Sequence, residues 1–186
     1  MKNTIVISGH PDLANSTANK AILEVLEKES NIAVNRLLPT YSDYNIDADK
    51  EIEKLRAADV VLLQFPFHWY GVPAILKMWL DSVTTPLVYG PLKGSMKGKT
   101  FILSTTTGGP EESYQPDGYN KHTMKEFLVP LLKLADSLEM HVEAPFVLHS
   151  AVARDAAGKE LLLQKAKEQA EKLIAYIQHE DVAIEA

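Results

Sequence analysis

Three short stretches hold the residue types that could do chemistry: "GHPDLANST" (9–17), "PFHWYG" (66–71) and "TTGGPEESY" (106–114). The first delivers Ser16, Thr17 and Asn19 to the start of a helix. Free N–H groups there, with two hydroxyls, suit a phosphate. The same residues are also ordinary helix caps. The second stretch, entered through Phe65, gathers Phe67, Trp69 and Tyr70 where loops are usually polar. Such rings stack on a flat heterocycle while the backbone fixes its edge. They serve equally well as core or as a subunit seam. The third stretch offers Thr106, Thr107, Gly108 and Gly109. Paired glycines let the backbone approach a ligand and turn N–H groups toward negative charge. A lone Gly-Gly is also an ordinary tight turn.

The elements that must position these stretches alternate. Thr4–Ser8, Asn31–Leu37, Asp59–Phe65, Thr100–Thr106 and Val142–His149 read as five strands. The third is almost continuously apolar, as expected when both sheet faces are covered. Helical spacing covers Thr17 to about Glu29, with Asn15 or Ser16 as N-cap, and Ala48–Ala58, which presents Ile52 and Leu55. A helix starts at Pro73 and carries Ile75, Leu76, Trp79, Leu80 and Val83. Thr84–Lys99 is rich in Gly and Pro and reads as a long excursion. Met124, Phe127, Leu128, Leu131 and Leu132 mark a helix that Pro130 must kink or split, and Asp155–Gln178 a final one. Alternation of this kind predicts a parallel sheet covered on both sides. Five strands fit a flavodoxin-like, three-layer α/β fold of order 2-1-3-4-5. Ligands in such sheets sit beyond the carboxyl ends of the strands, so the three loops should converge. A phosphate site, an aromatic wall and a donor-rich glycine loop at one edge describe a mononucleotide with a planar, reducible ring. FMN fits all three.

Composition narrows the alternatives. The 186 residues are most simply one domain, 1–186, long enough for a substantial core. Net charge is −6 with no block of Lys or Arg, which argues against nucleic acid. There is no cysteine, so thiolate chemistry is excluded and redox work needs a borrowed cofactor. The six histidines are scattered without metal-ligand spacing, so no metal site is expected. Neither GxGxxG nor a P-loop lysine nor GxSxG occurs. Ser8, Gly9 and His10 stand where a phosphoreceiver domain would need acidic residues. The first residues are far from a signal peptide or membrane span, and the expected location is cytoplasmic.

"GHP…NSTANK", "LLQFPFHWYGVPAILKMWLD", "GPLKGSMKGK" and "TTTGGPEESYQPDGYN" resemble the flavin-dependent NAD(P)H quinone reductase family, roughly from Ile5 to Ser150. That family includes DT-diaphorase, the bacterial modulators of drug activity and the ancillary proteins of glutathione-gated potassium efflux. The resemblance implies an FMN-dependent, ping-pong, two-electron transfer. NADH or NADPH is the donor, and a quinone or other electrophile is the acceptor. It implies that His10, Ser16, Thr17, Ala18 and Asn19 bind the phosphate and ribityl chain. Pro66, Phe67, His68, Trp69 and Tyr70 would wall the flavin ring, and Thr106, Thr107, Gly108 and Gly109 would hold its pyrimidine edge. Tyr114 matches a tyrosine that lines the hydride-transfer site in the animal enzymes. The histidine they pair with it has no clear equivalent in "QPDGYNKH", which ends at His122. The chain lacks those enzymes' C-terminal extension, so FMN is expected over FAD. The family also implies a homodimer, with Trp69 and Trp79 packing across it. A second implication, of another class, is a regulatory subunit docking on a membrane potassium-efflux transporter. Apart from the resemblance, a third reading is a one-electron carrier of flavodoxin type.

Overall fold

The computed structural model describes residues 1–179; the end of the "HEDVAIEA" tail, to which the sequence assigns no role, lies outside them. Strands β1 (Thr4–Ser8), β2 (Ile32–Arg36), β3 (Val60–Pro66) and β4 (Thr100–Thr106) pair in parallel, in the order β2-β1-β3-β4. Every residue of β1, β3 and β4 is buried. Two apolar layers explain this. Helices α1 (Ala18–Leu26) and α6 (Ala156–His179) cover one face, packing Ile22, Leu26, Ala166 and Leu173 on Val6, Leu62 and Ile102. The other face is covered by α3 (Ala48–Ala57), α4 (Ala74–Tyr89) and α5 (Met124–Ser137), after a single turn α2 (Leu37–Thr40).

The fifth strand is two pieces. β5 (His141–Val142) pairs with Thr100 and Phe101, and β6 (Phe146–Leu148) pairs with Ser104 to Thr106. Glu143, Ala144 and Pro145 lie opposite Ile102 and Leu103 alone, an extra residue that bulges the edge strand. Pro145 has no N–H for the ladder, which places the break there. The strand therefore starts one residue earlier than its sequence suggests and stops at Leu148. His149 lies just beyond it.

Two prolines are absorbed into helices. The excursion expected from Thr84 begins only after Tyr89, because α4 runs through Pro86. Val83 and Leu87 are buried on either side of it, and the Thr84 and Thr85 hydroxyls donate to the carbonyls of Leu80 and Asp81. Packing thus offsets the missing N–H. Pro130 likewise sits inside an unbroken α5, whose start is fixed by a Thr123–Glu126 capping box.

Helix α3 presents Ile52 and Leu55 to the core, and with them Glu51, fully buried. Its carboxylate accepts from Tyr41 Oη and Trp79 Nε1, both at 2.8 Å, and from Asn35 Nδ2, and it pairs with Lys54. Burial and this acceptor raise the Tyr41 pKa above its ordinary value. Trp79 is consequently an internal anchor of α4, only 2% exposed, and cannot pack across a dimer. A buried carboxylate must be paired, and helical spacing alone does not reveal it.

Candidate active site at the carboxyl edge of the sheet

The exits of β1, β3 and β4 meet at one edge because the three strands are adjacent and parallel. A single buried knot ties them. Gln64 Nε2 of β3 donates to Asn19 Oδ1 at 2.8 Å, and Asn19 Nδ2 donates to Thr106 Oγ1 of β4 at 2.9 Å. Gln64 Oε1 has no partner among the described residues. The side chains of Asn19 and Thr106 are thus engaged with each other rather than open to a ligand.

Loop one folds back on itself. Asp12 accepts from the Asn15 side chain at 2.7 Å, and the Asp12 N–H donates to His10 Nδ1 at 3.0 Å. Nδ1 is therefore an acceptor, and a neutral His10 carries its proton on Nε2. Burial, and to a lesser degree His68, pull the His10 pKa below 6.5, against the pull of Asp12. Ser16 Oγ accepts from the Asn19 N–H at 3.2 Å, which makes Ser16 the side-chain cap of α1. Thr17 C=O takes the Ala21 N–H, and the Ala18 and Lys20 N–H groups have no acceptor among the described residues. Lys20 and Lys159 line the cleft of about 350 Å³ at this end. Gly9 is required by contact, since a Cβ there would stand 2.6 Å from Leu76 Cβ on α4.

The aromatic stretch divides by environment. Phe65 is core and Pro66 is the buried last residue of β3. Phe67 is half-buried, and its N–H donates to Thr106 C=O at 2.8 Å, which joins loops two and three. His68 and Gly71 exchange two backbone hydrogen bonds across a two-residue turn. Trp69 and Tyr70 form that turn at φ +43° and +64°, as a mirror-image hairpin turn requires. Aromatic residues bear that conformation at a cost, and such strain collects at functional sites. Trp69 is 95% exposed and Tyr70 about half. Tyr70 stacks on Phe127 at 5.3 Å, Phe67 and Phe127 each meet Tyr114 edge-on at 6.2 Å, and Phe67 lies tilted against Phe127 at 5.5 Å.

Loop three is fixed at Thr107 and open beyond it. Neither Gly108 nor Gly109 donates its N–H to an acceptor among the described residues. A Cβ on Gly109 would press on the Tyr114 ring at 3.3 Å, so that ring lies directly against the glycine backbone. Tyr114 is buried, and that burial raises its pKa. His149 adds a group that nothing in the residue pattern marks out. Its Nδ1 lies 3.1 Å from Thr107 Oγ1 and its ring 5.4 Å from that of Tyr114. His122 lies elsewhere. It is exposed, 3.8 Å from Glu126 and against Phe127.

The edge thus offers helix-start amides beside a hydroxyl pair, an aromatic wall and two unengaged glycine amides. These residues fit FMN, a phosphate joined to a flat ring with a polar edge. Among the described residues no His, Asp and Glu cluster could hold a metal ion, and no helix is long and apolar enough to cross a membrane.

This architecture places the chain among flavodoxin-like α/β proteins. Residues 2–174 match the family described as flavodoxin-like fold, and the chain belongs to it. It is similar to the glutathione-regulated potassium-efflux system ancillary protein KefG of Enterobacter sp. strain 638, 34% identical over 148 residues, covering 79% of this chain and 81% of that one. Among solved structures it is similar to general stress protein 14 of Treponema denticola in complex with FMN. There the TM-score is 0.84 and identity 26%, over 95% of this chain and 98% of that one. It is also similar to an NADPH-quinone reductase of P. pentosaceus, with TM-score 0.77 and identity 25%, over 91% and 98%.

Proposed function

We propose that this chain is an FMN-dependent NAD(P)H oxidoreductase that reduces quinones or related electrophiles by a ping-pong, two-electron cycle. The observation that carries the reading is the convergence of loops one, two and three at one sheet edge, tied by the Gln64–Asn19–Thr106 knot. Bound FMN would supply the acceptor and donor of hydride. In this reading His10, Ser16, Thr17, Ala18 and Asn19 hold the phosphate and ribityl chain. Pro66, Phe67, His68, Trp69 and Tyr70 wall the ring. Thr106, Thr107, Gly108 and Gly109 face its polar edge, where the glycine amides stabilise negative charge. Tyr114 closes the pocket over Gly109. The protein acts as a single cytoplasmic domain spanning 1–186. FMN is preferred to FAD, with NADH or NADPH as donor.

A homodimer belongs to the same reading. Phe67, Tyr70, Val72, Leu80, Leu128 and Leu131 line a groove of about 490 Å³ between α4 and α5. Exposed Met78 and Val129 lie on the same two helices, and a second copy would cover this apolar face. Sedimentation should give a dimer that Val129→Glu weakens.

The test of the enzyme reading is the visible spectrum of the purified protein, followed by NADH or NADPH without oxygen. A flavin spectrum that bleaches, and recovers on adding menadione, supports the reading. A flavin-loaded protein inert to both nucleotides refutes it. The likeness to KefG favours a second reading, a regulatory subunit of a potassium-efflux transporter. Co-purification with such a transporter from membranes, altered by NADH, would support it, and failure to co-purify would count against it.

A further inference from the structure

The exit of β6 is clipped to the glycine loop by three backbone hydrogen bonds. Thr107 N–H donates to Leu148 C=O at 2.9 Å, Ala151 N–H to Thr107 C=O at 2.8 Å, and Ser150 N–H to Gly109 C=O at 3.0 Å. Ser150 takes φ +56°, a backbone conformation that costs energy in a serine. The half-buried imidazole of His149 stands between these clips. Its Nδ1 is 3.1 Å from Thr107 Oγ1, and its ring packs on that of Tyr114, which lies against Gly109. A titratable ring is thus fixed to the same loop that carries the two unengaged glycine amides. No carboxylate pins its charge: Glu111 and Glu112 act on it, but neither forms an ion pair with it among the described residues.

Two-electron reduction of a quinone leaves a proton to be placed. Hydride from NADH carries two electrons and one proton, whereas a quinol holds two protons, so the second comes from water. We propose that His149 is the proton-holding residue of this site: it takes up one proton when reduction brings negative charge to the glycine-loop edge, and gives it up when the acceptor carries that charge away. NADH, one proton and quinone then become NAD⁺ and quinol, with the proton resting on His149 between the two half-reactions. The inference rests on the FMN reading. The other titratable groups do not suit the task. Burial raises the Tyr114 pKa, so its hydroxyl stays protonated at neutral pH. His10 is bound into loop one through the Asp12 N–H, and His122 is exposed beside Glu126. The groups that act on His149 are the Tyr114 ring, the Thr107 hydroxyl, the Gly109 carbonyl and the carboxylates of Glu111 and Glu112. Burial lowers its pKa more than the carboxylates and the carbonyl raise it, so the ring begins neutral and can accept. An anion nearby favours the imidazolium.

The test titrates ¹⁵N-labelled histidine by NMR in the FMN-loaded protein, once oxidised and once reduced with dithionite without oxygen. The His149 signal is the one lost in His149→Gln. Its proton should be held about tenfold or more tightly in the reduced protein, the effect of a unit charge within about 10 Å at an effective dielectric of about 20. His122 should titrate alike in both. Potentiometry gives a second reading: the two-electron midpoint potential should fall more steeply with pH between the two His149 midpoints. That steeper span should vanish in His149→Gln and persist in His122→Gln. A His149 midpoint that is the same in both redox states overturns the proposal, as does a steeper span that survives in His149→Gln. Both results require a flavin-loaded protein and leave the proposed function standing. A chain that refuses FMN overturns the proposed function and this inference with it.

Discussion

Replacing Asn19 by Ala removes a side chain that bridges Gln64 of β3 and Thr106 of β4 at the site. Asn19 is 3% exposed and Gln64 is fully buried. The substitution strips Gln64 Nε2 of its acceptor and Thr106 Oγ1 of its donor. Gln64 Oε1 already lacks a partner among the described residues, so the whole amide would be left unsatisfied. At about 1–3 kcal/mol for each of these two stranded buried groups, the expected loss is about 2–6 kcal/mol. Gln64→Met makes the reasoning sharper. It strands Asn19 Oδ1 but also removes the unpartnered carbonyl, so the two effects largely cancel and the cost should stay below about 1 kcal/mol. Urea denaturation of the flavin-free chain measures both, and FMN titration should show weaker binding for Asn19→Ala because loops one and three lose their tie. An Asn19→Ala protein within about 1 kcal/mol of the parent, or a Gln64→Met protein as damaged as Asn19→Ala, would refute the knot.

Glu51→Ala strands Trp79 Nε1, Tyr41 Oη, Asn35 Nδ2 and Lys54 together, and should cost about 3–5 kcal/mol in urea denaturation, the cost of breaking a buried pair. Burial lowers the pKa of both His10 and His149, so below 6.5 the unfolded chain binds more protons than the folded one. Stability should therefore be full above pH 6.5 and fall as pH drops through it. Urea midpoints should show that slope lessened in His10→Gln and in His149→Gln. Trp69→Asn relieves an exposed aromatic of its positive φ, and should stabilise the flavin-free chain by up to about 1 kcal/mol while weakening FMN binding measured by fluorescence.

Local pattern determined much of this protein. The runs "TIVIS" and "TFILSTT" coincide residue for residue with β1 and β4, because β-branched and apolar residues dominate both, as suits a strand buried on both faces. Strand and helix alternation gave the sheet order, and from the order followed the edge where loops one, two and three meet. Tertiary structure decided what periodicity does not encode. Pro86 and Pro130 read as breakers, yet buried neighbours hold both inside helices. Glu51 reads as surface charge, yet donors from three other elements make it a core residue. Trp69 and Trp79 look alike in sequence; one lies bare on a strained turn and the other is locked to Glu51. His149 sits 35 positions from Tyr114, and only the bulge at Pro145 and the clip onto Thr107 bring the two rings together. Strands and helices follow from spacing along the chain, which the sequence carries. Partners for buried polar groups come from distant segments, and only the folded chain brings those into contact.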